Sequence, residues 1–259
     1  MTSRRLPPPP NRDIRSGMWS FANPNKFMRV SGVVLPVVAV VAVVLAVWGL
    51  YQALYVVPAD FKQGDGARIM FVHVPAAALS IIVYLIMCLC SIFALIWRHP
   101  VASLSAKAAA PVGAAFTLLA LVTGAIWGKP MWGAWWVWDA RLTSELILFF
   151  FYIGYMALWD AFDDFTKAET ATAYFCLVGS VFAVLAKYSV DLWDTLHQGS
   201  SMTIGTIATE DKLSNEFKVP LLVMIAAFYL YFLTVWLIRV RSEIRMRRIQ
   251  AIRQAAVVE

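Results

Sequence analysis

Apolar residues fill six long stretches of this chain, separated by shorter polar connectors. Each stretch approaches or exceeds the ~20 apolar residues that a helix needs to cross the hydrocarbon core of a bilayer. Because lipid offers no partner to an unpaired backbone group, such stretches cross the bilayer as helices. The predicted spans are about Val30–Val57, Val72–Trp97, Ala108–Trp127, Leu142–Trp159, Ala171–Val190 and Val219–Ile238.

The two ends of the chain are polar and divide it into three regions. Residues 1–29 include four consecutive prolines, which favour an extended conformation, so a flexible tail is predicted there. Residues 239–259 form a second tail that is rich in Arg. Residues 30–238 form the membrane domain, with a Trp-rich loop at about 127–145 and a His-containing loop at about 191–218.

Composition supports an integral membrane protein of all-α class. Hydrophobic residues make up 61% of the chain and charged residues only 15%, whereas an average soluble domain is roughly a quarter charged. The first apolar stretch is far longer than the ~7–15 apolar residues of a signal peptide and lacks a small-residue cleavage site. It is therefore expected to remain as an anchor.

The distribution of positive charge predicts how the chain is oriented. Fifteen of its 22 Lys and Arg residues lie in the two tails and in the connectors on the same side of the predicted membrane. The positive-inside rule then makes both termini cytoplasmic, and the Trp-rich and His-containing loops face outward. The C-terminal Arg cluster is interpreted as an anchor for anionic lipid headgroups, with docking of a cytosolic subunit as the alternative.

Five tryptophans lie within the fifteen residues from 127 to 141, which is dense even for the aromatic belt of a membrane protein. Such a concentration suggests a platform for a flat, apolar ligand. If 131–140 is a short interfacial helix, four side chains share one face and Trp138 points elsewhere. The residues of that face are Trp132, Trp135, Trp136 and Asp139. The face is either an ordinary aromatic belt or a surface that contacts the edge of a porphyrin. In the second case, Asp139 would orient a neighbouring group by a hydrogen bond.

Two of the three histidines are predicted to face the same compartment as the tryptophans. Pro75 is tolerated in the first turn of a helix, which places His73 at the mouth of the second span. His197 lies in the third outward loop. One such histidine alone is usually a satisfied polar residue, but two imidazoles are suitable axial ligands for a six-coordinate haem iron. His99 lies on the opposite side and is interpreted as structural.

Two arginines are candidates to bind the carboxylates of a haem. Arg141 ends the Trp-rich loop, and Arg68 precedes His73 by five residues. Arg suits this task because its guanidinium can donate two parallel hydrogen bonds to one carboxylate. Each could instead form an ion pair, Arg141 with Glu145 and Arg68 with Asp65.

Several classes of function lack their sequence signatures. There is no phosphate-binding Gly-x-x-x-x-Gly-Lys-Ser/Thr motif and no Gly-x-Ser-x-Gly elbow, which disfavours ATP hydrolysis and serine hydrolase chemistry. No span has a charged residue near its centre, which disfavours coupled transport. The cysteines form neither a redox pair nor a covalent haem attachment motif, and small apolar packing residues are expected at Cys88, Cys90 and Cys176.

Residues Trp132 to Glu145 read Trp-Gly-Ala-Trp-Trp-Val-Trp-Asp-Ala-Arg-Leu-Thr-Ser-Glu, which resembles the WWD signature of haem-handling proteins in cytochrome c maturation. The chain is most similar to the haem exporter protein C (CcmC) family. The likeness extends to Val-His-Val-Pro-Ala-Ala around His73, to Leu-His-Gln-Gly-Ser-Ser around His197, and to six spans across residues 30–240. The Pro-rich tail lies outside it.

This resemblance implies a haem-binding membrane subunit, most simply of the bacterial inner membrane, with its site on the periplasmic side. In the family, such a subunit works with the ATPase and membrane subunits of an ABC transporter and with a small single-span subunit. It delivers non-covalently held haem b to a periplasmic haem chaperone of the CcmE type. The axial ligands map onto His73 and His197, beside which Gln198 is a further candidate, and the haem surface maps onto Trp132, Trp135, Trp136, Trp138 and Asp139.

Two other functions stay open at this stage. One is a b-type electron-transfer cytochrome subunit that oxidises quinol, although such proteins usually place paired histidines near the midplane of the membrane. The other is a structural assembly subunit whose histidines and tryptophans bind no ligand. Enzymatic activity is not expected, because no general acid, base or nucleophile stands out; a haem lyase role in attaching haem to the chaperone remains the exception.

Overall fold

The computed structural model of this chain describes residues 23–193 and 213–258. Every long element within these residues is a helix, and all six helices contain segments long and apolar enough to cross a membrane. This confirms the predicted all-α architecture with six spans. The helices are α1 (Pro24–Tyr51), α2 (Met70–Trp97), α3 (Pro100–Trp132), α4 (Ala140–Asp160), α5 (Phe165–Leu192) and α6 (Asn215–Val258).

Successive helices run in opposite directions, so the bundle has two distinct ends. The aromatic end contains the starts of α2, α4 and α6, the last turns of α3 and α5, and the tryptophan segment 132–139. The basic end contains the start of α1 and the Arg-rich part of α6, where Arg248 Nη2 donates to Asn25 Oδ1 at 2.6 Å. The side of the membrane that each end faces stays a prediction.

Both predicted tails contain helical residues. Helix α1 begins at Pro24, because Asn23 caps it by accepting a hydrogen bond from the backbone of Asn25 at 2.9 Å. Helix α6 continues through the basic segment 239–258 rather than ending near residue 238. Arg is a good helix former, which favours this continuation.

The Arg-rich part of α6 packs against two other helices. Arg239 Nε donates to the carbonyl oxygen of Ala108 on α3 at 3.1 Å. Arg241 Nη1 donates to the carbonyl oxygen of Met28 on α1 at 2.6 Å and to the hydroxyl of Ser31 at 2.8 Å. These arginines therefore stabilise the packing of α6 against its neighbours.

Two glycines allow tyrosine rings to reach the centre of the bundle. A Cβ atom built on Gly113 of α3 would collide with the ring of Tyr152 from α4, and one built on Gly179 of α5 would collide with the hydroxyl of Tyr84 from α2. The two rings meet edge to face, with 5.0 Å between their centroids. Small residues at such contacts let membrane helices approach closely. The core of the bundle therefore lies among α2, α3, α4 and α5.

The cysteines belong to the same core. Cys88 of α2 and Cys176 of α5 are buried, and their Sγ atoms lie 3.5 Å apart. Cys90 is partly buried, and all three are free thiols. This location agrees with the predicted role of small packing residues.

Candidate functional site

His73 lies at the aromatic end, as the fourth residue of α2. The helix begins at Met70, five residues before Pro75, so the proline is in the second turn and not in the first as expected. Asp65–Ile69 forms a 3₁₀ turn that leads directly into α2 and extends the helical segment backwards. His73 is the ninth residue of the continuous helical segment that begins at Asp65, and its position at the mouth of the span stays a prediction.

Three residues on one side of α3 position the imidazole of His73. Its Nδ1 lies 3.0 Å from the hydroxyl oxygen of Thr123. The indole of Trp127 meets it edge to face, with 5.7 Å between the ring centroids. A Cβ atom built on Gly124 would lie 3.1 Å from Cε1 of His73, so the absence of a side chain there allows the ring to lie against α3.

The connector between α1 and α2 contributes to the same site. Gln63 Oε1 accepts a hydrogen bond from Nε1 of Trp127 at 2.9 Å, which fixes the indole that contacts His73. We did not predict Gln63, Thr123 or Gly124 from the sequence. The spacing of residues 123, 124 and 127 shows that they share one helix face, but it does not show that this face meets residue 73 of another helix.

The tryptophan segment is not the short interfacial helix that we considered, and that interpretation is wrong. Helix α3 ends at Trp132, residues 133–139 are not helical, and α4 begins at Ala140. Gly133 adopts a left-handed conformation with φ 77° and so terminates α3, as glycine commonly does. Asp139 caps the next helix. A helix-stop signal and a helix-start signal thus enclose only a few residues between them.

Without that helix, the tryptophans do not share a single helical face. Trp132 packs over Gly128, where a built Cβ atom would lie 3.0 Å from its ring. Trp136 and Trp138 meet edge to face at 5.5 Å, so Trp138 contacts another indole instead of pointing away from the group. Trp135 is 58% exposed and Trp138 is 75% exposed. These two rings therefore present apolar surface at the aromatic end.

Asp139 has a clear local role at the start of α4. Its Oδ1 accepts a hydrogen bond from the backbone N–H of Leu142 at 2.7 Å, which satisfies one of the unpaired donors of the first helical turn. The carboxylate therefore fixes the point at which the tryptophan segment joins α4. Its predicted role beside a ligand stays a prediction.

We expect Asp139→Ala to lower the free energy of unfolding by about 0.5–2 kcal/mol, because the cap is lost. Asp139→Asn should retain most of the stability, since Asn is an equally good N-cap. Unfolding of the purified protein in mixed micelles would measure both. Asp163→Ala, which removes an exposed carboxylate that caps no helix, is the control for the change in charge. Equal losses in Asp139→Ala and Asp139→Asn would contradict the capping role.

Arg68 forms an ion pair with Asp65, the alternative considered for it in the sequence analysis. Its Nε lies 2.9 Å from Oδ1 of Asp65, and its Nη1 donates to the carbonyl oxygen of Ala53 at 2.7 Å. Ala53 belongs to a π-helical turn, Gln52–Val56, that ends the first membrane segment. Arg68 therefore connects this turn to the 3₁₀ turn that precedes α2, and a role in binding a ligand carboxylate stays a prediction.

Arg141 is the second residue of α4 and is partly buried among acidic residues. Its positive charge interacts electrostatically with three carboxylates, those of Glu145, Asp139 and Asp191. Within residues 23–193 and 213–258, the buried Oε1 of Glu145 has no hydrogen-bond partner. Arg141 thus has a choice of acidic neighbours, and its binding of a ligand carboxylate stays a prediction.

Of the two remaining histidines, the structure describes only His99. His99 caps α3 at the basic end, where its Nδ1 accepts a hydrogen bond from the backbone of Ala102 at 3.2 Å. Burial lowers the pKa of His99, so the neutral form that can accept this bond is favoured. The structural interpretation of His99 is confirmed. His197 and Gln198, the other predicted site residues, lie outside the described part of the chain.

Comparison with known proteins gives matches over nearly the whole chain. Residues 17–255 match the family model described as "Heme exporter protein C". A protein of that name from Paracoccus denitrificans (strain Pd 1222) is 51% identical over 236 residues, which are 91% of this chain and 96% of that protein.

Two further relatives have the same name. The one from Bradyrhizobium diazoefficiens is 50% identical over 232 residues, covering 89% of this chain and 86% of that protein. The one from Escherichia coli (strain K12) is 42% identical over 229 residues, covering 87% of this chain and 91% of that protein. The family match therefore includes α1 to α5, the tryptophan segment, the chain between α5 and α6, and all but the last residues of α6.

Proposed function

The chain belongs to the haem exporter protein C family, and on this basis we propose that it is a haem-handling membrane subunit of cytochrome c biogenesis. It holds haem at the aromatic end and delivers it to a haem chaperone. The observation that carries this proposal is the position of His73, whose imidazole is held by Thr123 and Trp127 at the same end of the bundle as the exposed tryptophan segment.

The proposed axial ligands of the haem iron are His73 and His197. Imidazole nitrogen is a common haem ligand, and two of them leave no open coordination position for oxygen chemistry. Helix α5 ends at Leu192, at the aromatic end and five residues before His197. The second ligand is therefore assigned to the segment that follows the aromatic end of α5 in the sequence.

The tryptophan segment supplies the apolar surface for the porphyrin. Trp135 and Trp138 expose most of their rings, and Trp138 also contacts Trp136. An indole favours contact with another flat aromatic system and keeps one N–H donor for a polar partner. The full set proposed for this surface is Trp132, Trp135, Trp136, Trp138 and Asp139.

The haem propionates are assigned to cationic and polar side chains at the aromatic end. Arg141 is the stronger candidate, because it lies at the junction of the tryptophan segment and α4. Arg68 already uses Nε to bond to Asp65 and Nη1 to bond to the backbone, so fewer of its five N–H donors remain for a propionate. Gln198 follows the second ligand directly and is the remaining polar candidate.

The proposed orientation places this site outside the cytoplasm. The basic end contains Arg239, which bonds to α3, and Arg241 and Arg248, which bond to residues near the start of α1. The positive-inside rule assigns such an end to the cytoplasm. The aromatic end then faces the periplasm, and the membrane is the bacterial inner membrane. This is the side on which haem must be available to a periplasmic chaperone.

The proposed partners follow from the family resemblance. They are the ATPase and membrane subunits of an ABC transporter, a small single-span subunit and a chaperone of the CcmE type. The haem is haem b, held without a covalent bond, and the chain acts in delivery. A haem lyase activity would require that haem becomes covalently attached to the chaperone only when this chain is present.

Purified components can test the proposal. The protein should show a Soret band, acid–acetone extraction should remove the haem, and its pyridine haemochrome spectrum should be that of haem b. Addition of a purified CcmE-type chaperone should then transfer the band to the chaperone. Absence of a Soret band in protein from haem-sufficient cells would contradict haem binding, while binding without transfer would contradict delivery.

The quinol-oxidising cytochrome is less well supported. Its paired histidines would be expected near the middle of the membrane, whereas His73 is the fourth residue of its helix. Permanent retention of haem in the presence of the chaperone, with reduction of the iron by quinol at catalytic rates, would favour this alternative.

A further inference from the structure

The hydroxyl of Thr123 has one proton, and the structure indicates where that proton lies. Thr123 Oγ1 is 2.6 Å from the carbonyl oxygen of Leu119 and 3.0 Å from Nδ1 of His73. Two oxygen atoms approach to 2.6 Å when a hydrogen atom lies between them. The hydroxyl therefore donates to Leu119, and it is left with lone pairs toward His73.

This arrangement determines which nitrogen of the neutral imidazole has the hydrogen atom. Because the Thr123 oxygen can only accept from His73, the hydrogen bond at 3.0 Å requires an Nδ1–H donor. The Nε2 atom of the same neutral ring then has a lone pair. In water, neutral histidine favours the opposite tautomer, with its hydrogen on Nε2, so this contact selects the form that is less common in solution.

We propose that Thr123 is a positioning residue that holds His73 as the Nδ1–H tautomer and thereby makes Nε2 its iron-binding nitrogen. This inference rests on the proposed haem function only in its last step. The selection of the tautomer is a property of the chain without haem.

The surroundings of the ring support this assignment. A Cβ atom built on Gly124 would lie 3.1 Å from Cε1, 3.7 Å from Nδ1 and 4.0 Å from Nε2, so the Cε1 edge of the ring is turned toward α3 and Nδ1 is the nearer of the two nitrogens. The edge-on contact with Trp127 restricts rotation of the imidazole. Thr123 is only 9% exposed, which limits competition from water for its hydroxyl.

The chain Leu119–Thr123–His73 also has the form of an outer ligand shell. A ligating histidine usually donates its second ring N–H to an oxygen, which fixes the ring and raises the basicity of the ligating nitrogen. Here that oxygen is a hydroxyl polarised by a backbone carbonyl of the same helix. Loss of such a partner typically weakens metal binding by about 10- to 100-fold.

Nitrogen NMR on the full-length protein, purified without haem in nanodiscs and labelled on histidine, tests the tautomer directly. The His73 signals, assigned by comparison with His73→Ala, should show a protonated Nδ1 and an unprotonated Nε2. Thr123→Val keeps the shape of the side chain but removes the hydroxyl, and it should shift the signals toward the Nε2–H form. Thr123→Ser should restore the wild-type pattern. An Nε2–H tautomer in the wild-type protein, or an unchanged pattern in Thr123→Val, would overturn the inference.

Titration of the same variants with haem separates this inference from the proposed function. Thr123→Val should bind haem about 10- to 100-fold more weakly than wild type, and Thr123→Ser within a few-fold of it. Equal haem affinity of Thr123→Val and wild type would overturn the role of Thr123 as a positioning residue, with haem binding itself intact. Haem affinity that does not change in His73→Ala would instead contradict the proposed function, whatever the tautomer.

Discussion

Replacing His73 with alanine should reduce the haem affinity of the purified protein by more than about 100-fold. Removal of an outer-shell partner alone costs about 10- to 100-fold, and the loss of an axial ligand removes a bond to the iron itself. The expected readout is loss of the six-coordinate haem spectrum and of most of the Soret absorbance. The helix should be retained, because His73 is only partly buried and Ala is the best helix former.

His99→Ala provides the matched control for this prediction. It removes an imidazole from the basic end, where His99 caps α3, and should leave haem affinity unchanged while causing a small loss of stability. His197→Ala should reproduce the effect of His73→Ala. An unchanged Soret band in both His73→Ala and His197→Ala would remove the proposed haem site from this end of the molecule.

Replacing Gly179 with alanine should cause a large loss of stability. The new Cβ atom would collide with the hydroxyl of Tyr84 and lie 2.6 Å from Cδ1 of Phe151. Tyr84 is fully buried in a packed interior, so neither its ring nor the helix behind it can shift freely. Overpacking of this kind typically costs about 1–3 kcal/mol, which unfolding of the purified protein in mixed micelles would measure.

Two further variants test the cause of that loss. Gly66→Ala adds the same methyl group where no atom lies within 4 Å of the new Cβ, so it should leave stability nearly unchanged. Tyr84→Phe removes the nearest colliding atom, so Gly179→Ala should cost less in that background than in wild type. If the cost is the same in both backgrounds, the collision with Tyr84 is not the cause.

The membrane spans could be predicted because each requires a long apolar run, which is visible in the sequence without knowledge of the fold. Their ends could not be predicted as well, because caps and side-chain contacts beyond the apolar run determine them. Helix α6 illustrates this: its apolar run ends near residue 238, yet Arg239 and Arg241 bond to neighbouring helices and the helix continues.

The short helix predicted for the tryptophan segment is wrong for a different reason. The spacing of its aromatic residues fits one helical face, but Gly133 and Asp139 are also a stop signal and a start signal that were already present in the sequence. The helix boundaries set by these signals determine the backbone of the segment, whatever the spacing of its aromatic residues. The local structure of this segment was therefore predictable, although the contact between Trp136 and Trp138 was not.

The residues around His73 could not be predicted from one sequence. Thr123 and Gly124 lie about fifty positions away from it, and their contact depends on the rotation and depth of α3 relative to α2. That register depends on how the whole core packs. The collisions that a Cβ atom would make at Gly113 and Gly179 show how closely the helices approach one another there.

Helix α6 makes the two ends of the molecule mechanically continuous. Its 44 residues extend about 66 Å, roughly twice the ~30 Å thickness of a hydrocarbon core. No glycine or proline interrupts the sequence from Leu221 to Val258. A partner that binds the protruding portion would therefore hold a rigid rod, and any tilt imposed on it would reach Leu221, next to Pro220 near the aromatic end of α6, without being absorbed by a hinge along the way.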